Sequence, residues 1–255
     1  MIDMLPFGLQ FVLIGVLGLI LGSFATAMAA RIPQGRSWIF DKKTDNANAA
    51  RSACMSCGNV LKFYNLIPLF SFLFQRGKCR QCDAKIGISY PLIEAATACI
   101  CILAYIMYAW TPAFFWIAVL SPFLVALTAI DLKHYILPNQ LVAIIGVLGI
   151  LRVLTQFDIM YIWAALIYGG LVFLTGKIVS IILKRQALGF GDVKLFAVCG
   201  VWLGLLNLSI FWLLCGVFGV VFGLAWKKMG NGKVFPFGPA ILMAFLVLLL
   251  VQGEY

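Results

Sequence analysis

Apolar residues dominate this chain in long blocks rather than at alternating or isolated positions, and polar residues collect in the gaps between the blocks. Apolar runs stand at about residues 9–30, 91–108, 114–130, 137–154, 161–183, 193–206, 208–226 and 239–251. A hydrocarbon layer about 30 Å thick needs roughly 20 apolar residues in helical form, so the pattern predicts about eight transmembrane helices. The run at 193–206 is the shortest and falls below the usual span, which requires Asp192 or Asn207 near an interface. The one long polar interruption covers residues 32–90.

Composition agrees with a bilayer: 64% of the 255 residues are hydrophobic and 11% charged, far from the balance of a soluble domain. Charge then sets an orientation, because Lys and Arg near the ends of spans stay on the cytoplasmic side. With the N-terminus outside, of the 19 Lys and Arg only Arg152 falls on the outer side. The net charge of +10 is explained by topology and anionic headgroups of the membrane lipid, and no nucleic-acid partner need be invoked. The first apolar run has no basic residue before it, only Asp3, and is longer than a signal-peptide core, so it reads as a retained helix although Ala25–Ala30 imitates a cleavage site. The expected organisation is a first transmembrane helix at 1–31, a cytosolic insert at 32–90 and a transmembrane core at 91–255.

Within the insert, residues 41–50 have the composition of a mobile loop, and 54–90 carry enough aromatic and aliphatic residues to fold around a staple. Cys54-Met-Ser-Cys57 and Cys79-Arg-Gln-Cys82 form two C-x-x-C pairs with zinc-knuckle spacing. Each pair can occupy one edge of a tetrahedral metal, with Gly58 and Gly77 giving the turns their backbone freedom. A disulfide reading is disfavoured in a reducing cytosol. Four thiolates leave no open coordination position, so the expected Zn2+ is structural. Cys99, Cys101, Cys199 and Cys215 lie in apolar runs and read as core residues.

Only nine acidic residues occur, which makes any carboxylate beside a span notable. Asp131 closes the third apolar run, and Asp192 opens the sixth in Gly189-Phe-Gly-Asp-Val-Lys194. Taken singly, Asp131 is explained by an interfacial pair with Lys133, and Asp192 by N-capping. Together they fall on one membrane face beside glycines that let a substrate backbone approach. Two carboxylates about 4 Å apart repel by roughly 4 kcal/mol at an effective dielectric near 20, so such a pair shares one proton. The ionised member can draw a proton from water while the protonated member hydrogen-bonds a scissile carbonyl. An ion-conducting role would require acidic groups near the bilayer midplane instead.

Several blocks in fixed order resemble the type IV prepilin peptidases, a leader peptidase and N-methyltransferase family of GxGD-type membrane aspartyl proteases. They are Gly22-Ser-Phe24, Arg31-Ile-Pro33, the double C-x-x-C, Asn65–Ser71, Arg76-Gly-Lys-Cys79, Ile88–Glu94, Ile130-Asp131 with Leu137-Pro138, Gly189–Leu195 and Pro236-Phe-Gly-Pro239. The resemblance implies Asp131 and Asp192 as the catalytic pair, cutting basic leaders from prepilins or type II secretion pseudopilins after a glycine at the inner membrane. It also implies methylation of the new N-terminal amine by S-adenosylmethionine, an activity tied to the cysteine insert, with Glu94 a candidate in that site or an anchor against Arg76 or Arg80. An alternative is a peptidase alone, with the insert docking substrate or bracing helices. Gly189, Gly191, Lys194, Pro236, Gly238 and Pro239 are the candidate substrate-positioning residues, and His134, three residues beyond Asp131, a candidate to tune it or to contact headgroups. Two departures from the family pattern are Met55, where proline usually follows the first cysteine, and Asn139, where an acidic residue is frequent.

Overall fold

The computed structural model describes residues 6–36, 54, 56–61, 67–156, 158–184, 188–230 and 235–252. The expected mobile stretch at 41–50 lies outside them. Among the described residues the protein is helical, with an isolated bridge between Lys78 and Lys85 and no strand. The α-helices are α1 (Phe7–Arg31), α2 (Phe70–Phe74), α3 (Ser89–Tyr108), α4 (Pro112–His134), α5 (Asn139–Gln156), α6 (Met160–Leu183), α7 (Phe190–Leu203), α8 (Leu208–Lys228) and α9 (Gly238–Gln252). The five helices α1, α3, α4, α6 and α8 are long and apolar enough to cross a membrane, and α5 and α9 are shorter apolar helices, as an all-α polytopic membrane protein requires. Two compact units divide between Ala129 and Ile130, inside α4.

In the first unit, α1 packs on α3 along one stripe. Gln10, Ile14, Gly18 and Gly22 recur every four residues and are buried, while Val12, Val16 and Ile20 stay exposed for lipid. The glycines let the two backbones nearly touch: a Cβ on Gly18 would stand 2.6 Å from Ala98 Cα, and one on Gly22 2.6 Å from Glu94 Cα. At one end of the stripe the Tyr105 hydroxyl and, at 3.0 Å, the Trp110 indole N–H both donate to Gln10 Oε1. Pro122 interrupts α4 and cannot donate to Ala118 O four residues back. The Ser121 hydroxyl takes that carbonyl instead, at 2.8 Å, so the helix continues with its acceptor satisfied.

In the second unit, α7 is the central element, packed by α5, α6 and α9. Its 14 residues begin and end three earlier than the hydrophobic pattern predicts: polar Asp192 is accommodated inside its first turn, and Gly204 at φ 68° stops the helix. Helix α4 likewise runs past residue 130 to His134, and Tyr135 at φ 57° ends it, so Asp131 lies in the last turn rather than after it. Close packing of α7 on α6 depends on Gly200, where a Cβ would come within 2.9 Å of both Ala164 O and Ala165 Cα. Gly200→Leu is therefore expected to cost the chain its fold, since overpacking of even an extra methylene or two costs about 1–3 kcal/mol. Loss of the monodisperse peak in detergent gel filtration would report it, and an unchanged peak and melting temperature would contradict this packing.

Candidate active site

Asp131 is 5% exposed although carboxylates seldom tolerate burial without partners. It lies at the negative end of α4, an unfavourable position for an anion. The start of α9 compensates: Asp131 Oδ2 accepts the backbone N–H of Gly238, the first residue of that helix, at 2.9 Å, which sets the carboxylate against a positive helix end. No side chain fits at Gly238, where a Cβ would stand 2.5 Å from Asp131 Oδ2 and 3.1 Å from Leu137 Cδ2. Lys133 and His134 are exposed on the same last turn, so the expected Lys133 partnership gives way to a backbone donor.

Asp192 is the third residue of α7 and not its N-cap, which is Gly189. Its carboxylate turns back over Gly189, where a Cβ would meet Asp192 Oδ2 at 3.2 Å, half of the reciprocal arrangement seen in a capping box. The carboxylates of Asp131 and Asp192 are close enough to repel one another. Leu137 lies between their supports, since a Cβ on Gly191 would be 3.3 Å from Leu137 Cβ and one on Gly238 3.1 Å from its Cδ2. Asp192 in the first turn of α7 and Asp131, held at the start of α9, thus lie within electrostatic reach of one another although 61 positions apart, with Leu137 touching the glycine beside each.

The other positioning candidates divide. Gly189 and Gly238 face the carboxylates of Asp192 and Asp131 directly, whereas Gly191 packs on Leu137. Pro236 and Pro239 are buried and shape the α9 start, and Phe237 between them packs where a Cβ on Gly219 of α8 would lie 2.8 Å from its ring. Lys194 is drawn away from the carboxylates: its ammonium donates to Asn139 Oδ1 at 2.9 Å and lies 4.8 Å from the Phe190 ring centre. Asn139, the departure from the family pattern, therefore ties α7 to the first residue of α5. The sequence pattern missed that Gly238 acts as a hydrogen-bond donor to Asp131, since nothing local links positions 107 apart.

The cysteine cluster forms in the first unit. Sγ atoms of Cys54, Cys57, Cys79 and Cys82 all lie within 4.8 Å of one another, with Cys54 and Cys82 at 3.8 Å. A tetrahedron with metal–sulfur bonds of about 2.3 Å has sulfurs roughly 3.8 Å apart, whereas a disulfide needs about 2.0 Å, so this donor set fits a metal ion. The two knuckles share one backbone plan: Cys54 N–H donates to Asn59 O and Gly58 N–H to Cys54 O, matched by Cys79 N–H to Ala84 O and Asp83 N–H to Cys79 O, all at 2.9–3.0 Å. Gly58 at φ 70° takes the left-handed place expected of it, but in the second knuckle that place belongs to Asp83 at φ 52°. Gly77, also left-handed, instead turns the chain out of α2 against the Phe72 ring. Backbone N–H groups of Cys57 and Ser56 lower the Cys54 thiol to about 6, which favours the thiolate that a metal ligand uses, while desolvation and the other three sulfurs push Cys82 up to about 12, the mark of four thiols crowded together. Glu94 anchors this region through the Leu69 backbone N–H, 2.8 Å from Oε2, in place of the expected Arg76 or Arg80. Cys101, Cys199 and Cys215 are buried as expected, and Cys99 is exposed on α3.

Comparison with known proteins extends the resemblance along nearly the whole chain. A family model described as Bacterial Peptidase A24 N-terminal domain matches residues 16–108, and one described as Type IV leader peptidase family matches 118–224. A prepilin leader peptidase/N-methyltransferase of Xanthomonas campestris pv. campestris is 31% identical over 260 residues, covering 93% of this chain and 90% of the relative. This chain belongs to the type IV leader peptidase family. Other members similar to it are the type 4 prepilin-like proteins leader peptide-processing enzyme of Escherichia coli, 31% identical with 96% and 95% of the two chains covered, and the prepilin leader peptidase/N-methyltransferase of Bacillus subtilis, 33% identical with 89% and 88% covered. No solved structure matches the chain. Both aspartates of this family member fall within the leader peptidase match, and all four cysteines and Glu94 within the N-terminal one.

Proposed function

We propose that this protein cleaves the basic leader from type IV prepilins or type II secretion pseudopilins with the Asp131–Asp192 pair, then methylates the new N-terminal amine. The observation that supports the peptidase reading is a carboxylate, Asp131, buried and held by the Gly238 N–H at the start of α9, within electrostatic reach of Asp192 in the first turn of α7. One aspartate, ionised, takes a proton from the attacking water, and the other, protonated, donates to the scissile carbonyl. Gly189, exposed, and half-buried Gly191 carry no side chain to keep an extended leader segment from the backbone beside Asp192, while the buried Pro236–Pro239 segment holds the α9 start against Asp131. With the insert and both aspartates cytoplasmic and the N-terminus outside, the charged leader is cut on the side where it is made.

Methyl transfer belongs with the N-terminal half. The freed amine attacks the methyl group of S-adenosylmethionine, releasing S-adenosylhomocysteine and a proton. Cys54, Cys57, Cys79 and Cys82 would hold Zn2+, whose chemistry there is to crosslink two knuckles that bury little core of their own. Glu94 contributes by fixing Leu69 to α3, which joins the knuckle region to the membrane. Cys57→Ser is expected to lower bound zinc from about one ion per chain to well below that, and to reduce methyl transfer while leaving leader cleavage measurable. Metal analysis beside a tritiated-methyl assay checks this; full methylation by zinc-free protein would remove the insert from the reaction.

The direct test is purified full-length protein with a prepilin and labelled S-adenosylmethionine, read by gel shift and by mass spectrometry of the product N-terminus. Cleaved and methylated pilin from wild type, with cleavage absent in Asp131→Asn and Asp192→Asn, is the expected result. Cleaved but unmethylated pilin would favour a peptidase alone.

A further inference from the structure

Arg152 is the single basic residue that the charge rule leaves unexplained, and the structure buries it to 1% exposure near the end of α5. A charge in such a place costs roughly 2.5–3.5 kcal/mol on insertion scales, so it calls for a partner. That partner is the C-terminal end of α7. Arg152 Nη1 donates to Trp202 O at 2.7 Å, and the guanidinium lies 5.1 Å from the Tyr161 ring and 5.5 Å from the Trp202 ring. Three other residues reach the next two carbonyls: Tyr168 Oη of α6 donates to Gly204 O at 2.9 Å, Asn207 Nδ2 to Leu203 O at 2.8 Å, and Gln252 Nε2 of α9 to Leu203 O at 3.5 Å. Trp202 itself donates from Nε1 to Ile145 O at 3.0 Å.

Helix α7 is about 21 Å long at 1.5 Å per residue, so it ends short of a 30 Å hydrocarbon layer. The final carbonyls of any helix lack internal donors, and in an apolar surrounding they must be met by side chains. Here they are met by a cationic group that also suits the negative helix end. The opposite end of the same rigid helix carries Asp192.

We propose that Arg152 is a positioning residue for leader cleavage: with Tyr168, Asn207 and Gln252 it anchors the buried end of α7 and so sets the depth and rotation at which Asp192 is presented. This rests on the Asp131–Asp192 reading above. A displacement of Asp192 by about an ångström is enough to slow the chemical step by on the order of 100-fold without changing how the leader binds.

The test compares full-length wild type with Arg152→Gln, Arg152→Lys and Tyr168→Phe, measuring kcat and KM for prepilin cleavage, methyl transfer to pre-cleaved pilin, and the melting temperature of each sample. Arg152→Gln should lose on the order of 100-fold in kcat with KM nearly unchanged. Arg152→Lys, which keeps the charge but not the planar donor fork, should recover part of that loss. Tyr168→Phe, which removes one donor and no charge, should fold and lose kcat by a few-fold only. Methyl transfer should persist in all three. Wild-type kcat in a folded Arg152→Gln protein overturns the proposal, as does a parallel fall of cleavage, methylation and melting temperature, which would make the cap structural alone. Asp192→Asn in the same series separates the two readings: if it cleaves normally the aspartate pair is wrong, and if it is inactive beside fully active Arg152 variants only the positioning role is.

Discussion

Leader cleavage should fall by on the order of 10³-fold or more when either Asp131 or Asp192 becomes asparagine, with insertion into the membrane and methylation of pre-cleaved pilin intact. Asparagine keeps size and shape, so Asp131→Asn still accepts the Gly238 N–H through its carbonyl oxygen, and Asp192→Asn still covers Gly189. What each loses is the exchangeable proton. An Asp131→Asn enzyme cannot alternate between taking the water proton and donating to the carbonyl, and neither can Asp192→Asn, so each single change should cost nearly as much as both together. Quantitative mass spectrometry of the pilin N-terminus measures this over four decades of rate. A variant within tenfold of wild type would show that its carboxylate is not in the reaction.

Gly238→Ala carries the next largest expected effect, although it touches no ionisable group. The added methyl would stand 2.5 Å from Asp131 Oδ2 and 3.1 Å from both Asp131 Cγ and Leu137 Cδ2. Ordinary contact needs roughly 3.5 Å or more, so the carboxylate must move by about 1 Å or the α9 start must withdraw with its N–H. Either response breaks the 2.9 Å bond that offsets the burial of Asp131. A loss of about 100-fold in kcat follows from misplacement on that scale. The companion Gly216→Ala on α8, where no atom lies within 4 Å, should remain near wild type and serves as the control for glycine replacement as such. Equal activity of Gly238→Ala and Gly216→Ala would mean that the Asp131–Gly238 contact does not matter for the reaction.

Much of this protein was legible from its chain because the bilayer leaves few alternatives. Every long apolar block became a helix, since a backbone in hydrocarbon must satisfy its own hydrogen bonds. The C-x-x-C spacing named the four sulfurs that meet within 4.8 Å, because a knuckle is a local turn and its ligands are set by local geometry. Asp131 and Asp192 stood out because carboxylates beside apolar runs are rare. Composition and periodicity determined the class of fold, and the ordered motifs determined the family.

Tertiary structure decided what had no local trace. The ends of α4 and α7 differ from the hydrophobic boundaries because a helix stops where φ turns positive, at Tyr135 and Gly204, rather than where hydropathy changes. The second knuckle uses Asp83 in a left-handed place that composition assigns to glycine. Lys194 bonds Asn139 and leaves the carboxylates, while Gly238, 107 residues beyond Asp131, supplies the hydrogen bond that a nearby lysine had suggested. Arg152, an exception to the charge rule when read along the chain, is explained only when four elements are seen around the end of α7. Hydropathy and spacing act over a few residues, whereas, apart from the local Asn207–Leu203 bond, these contacts join positions 36 to 107 apart, and only packing brings such positions together.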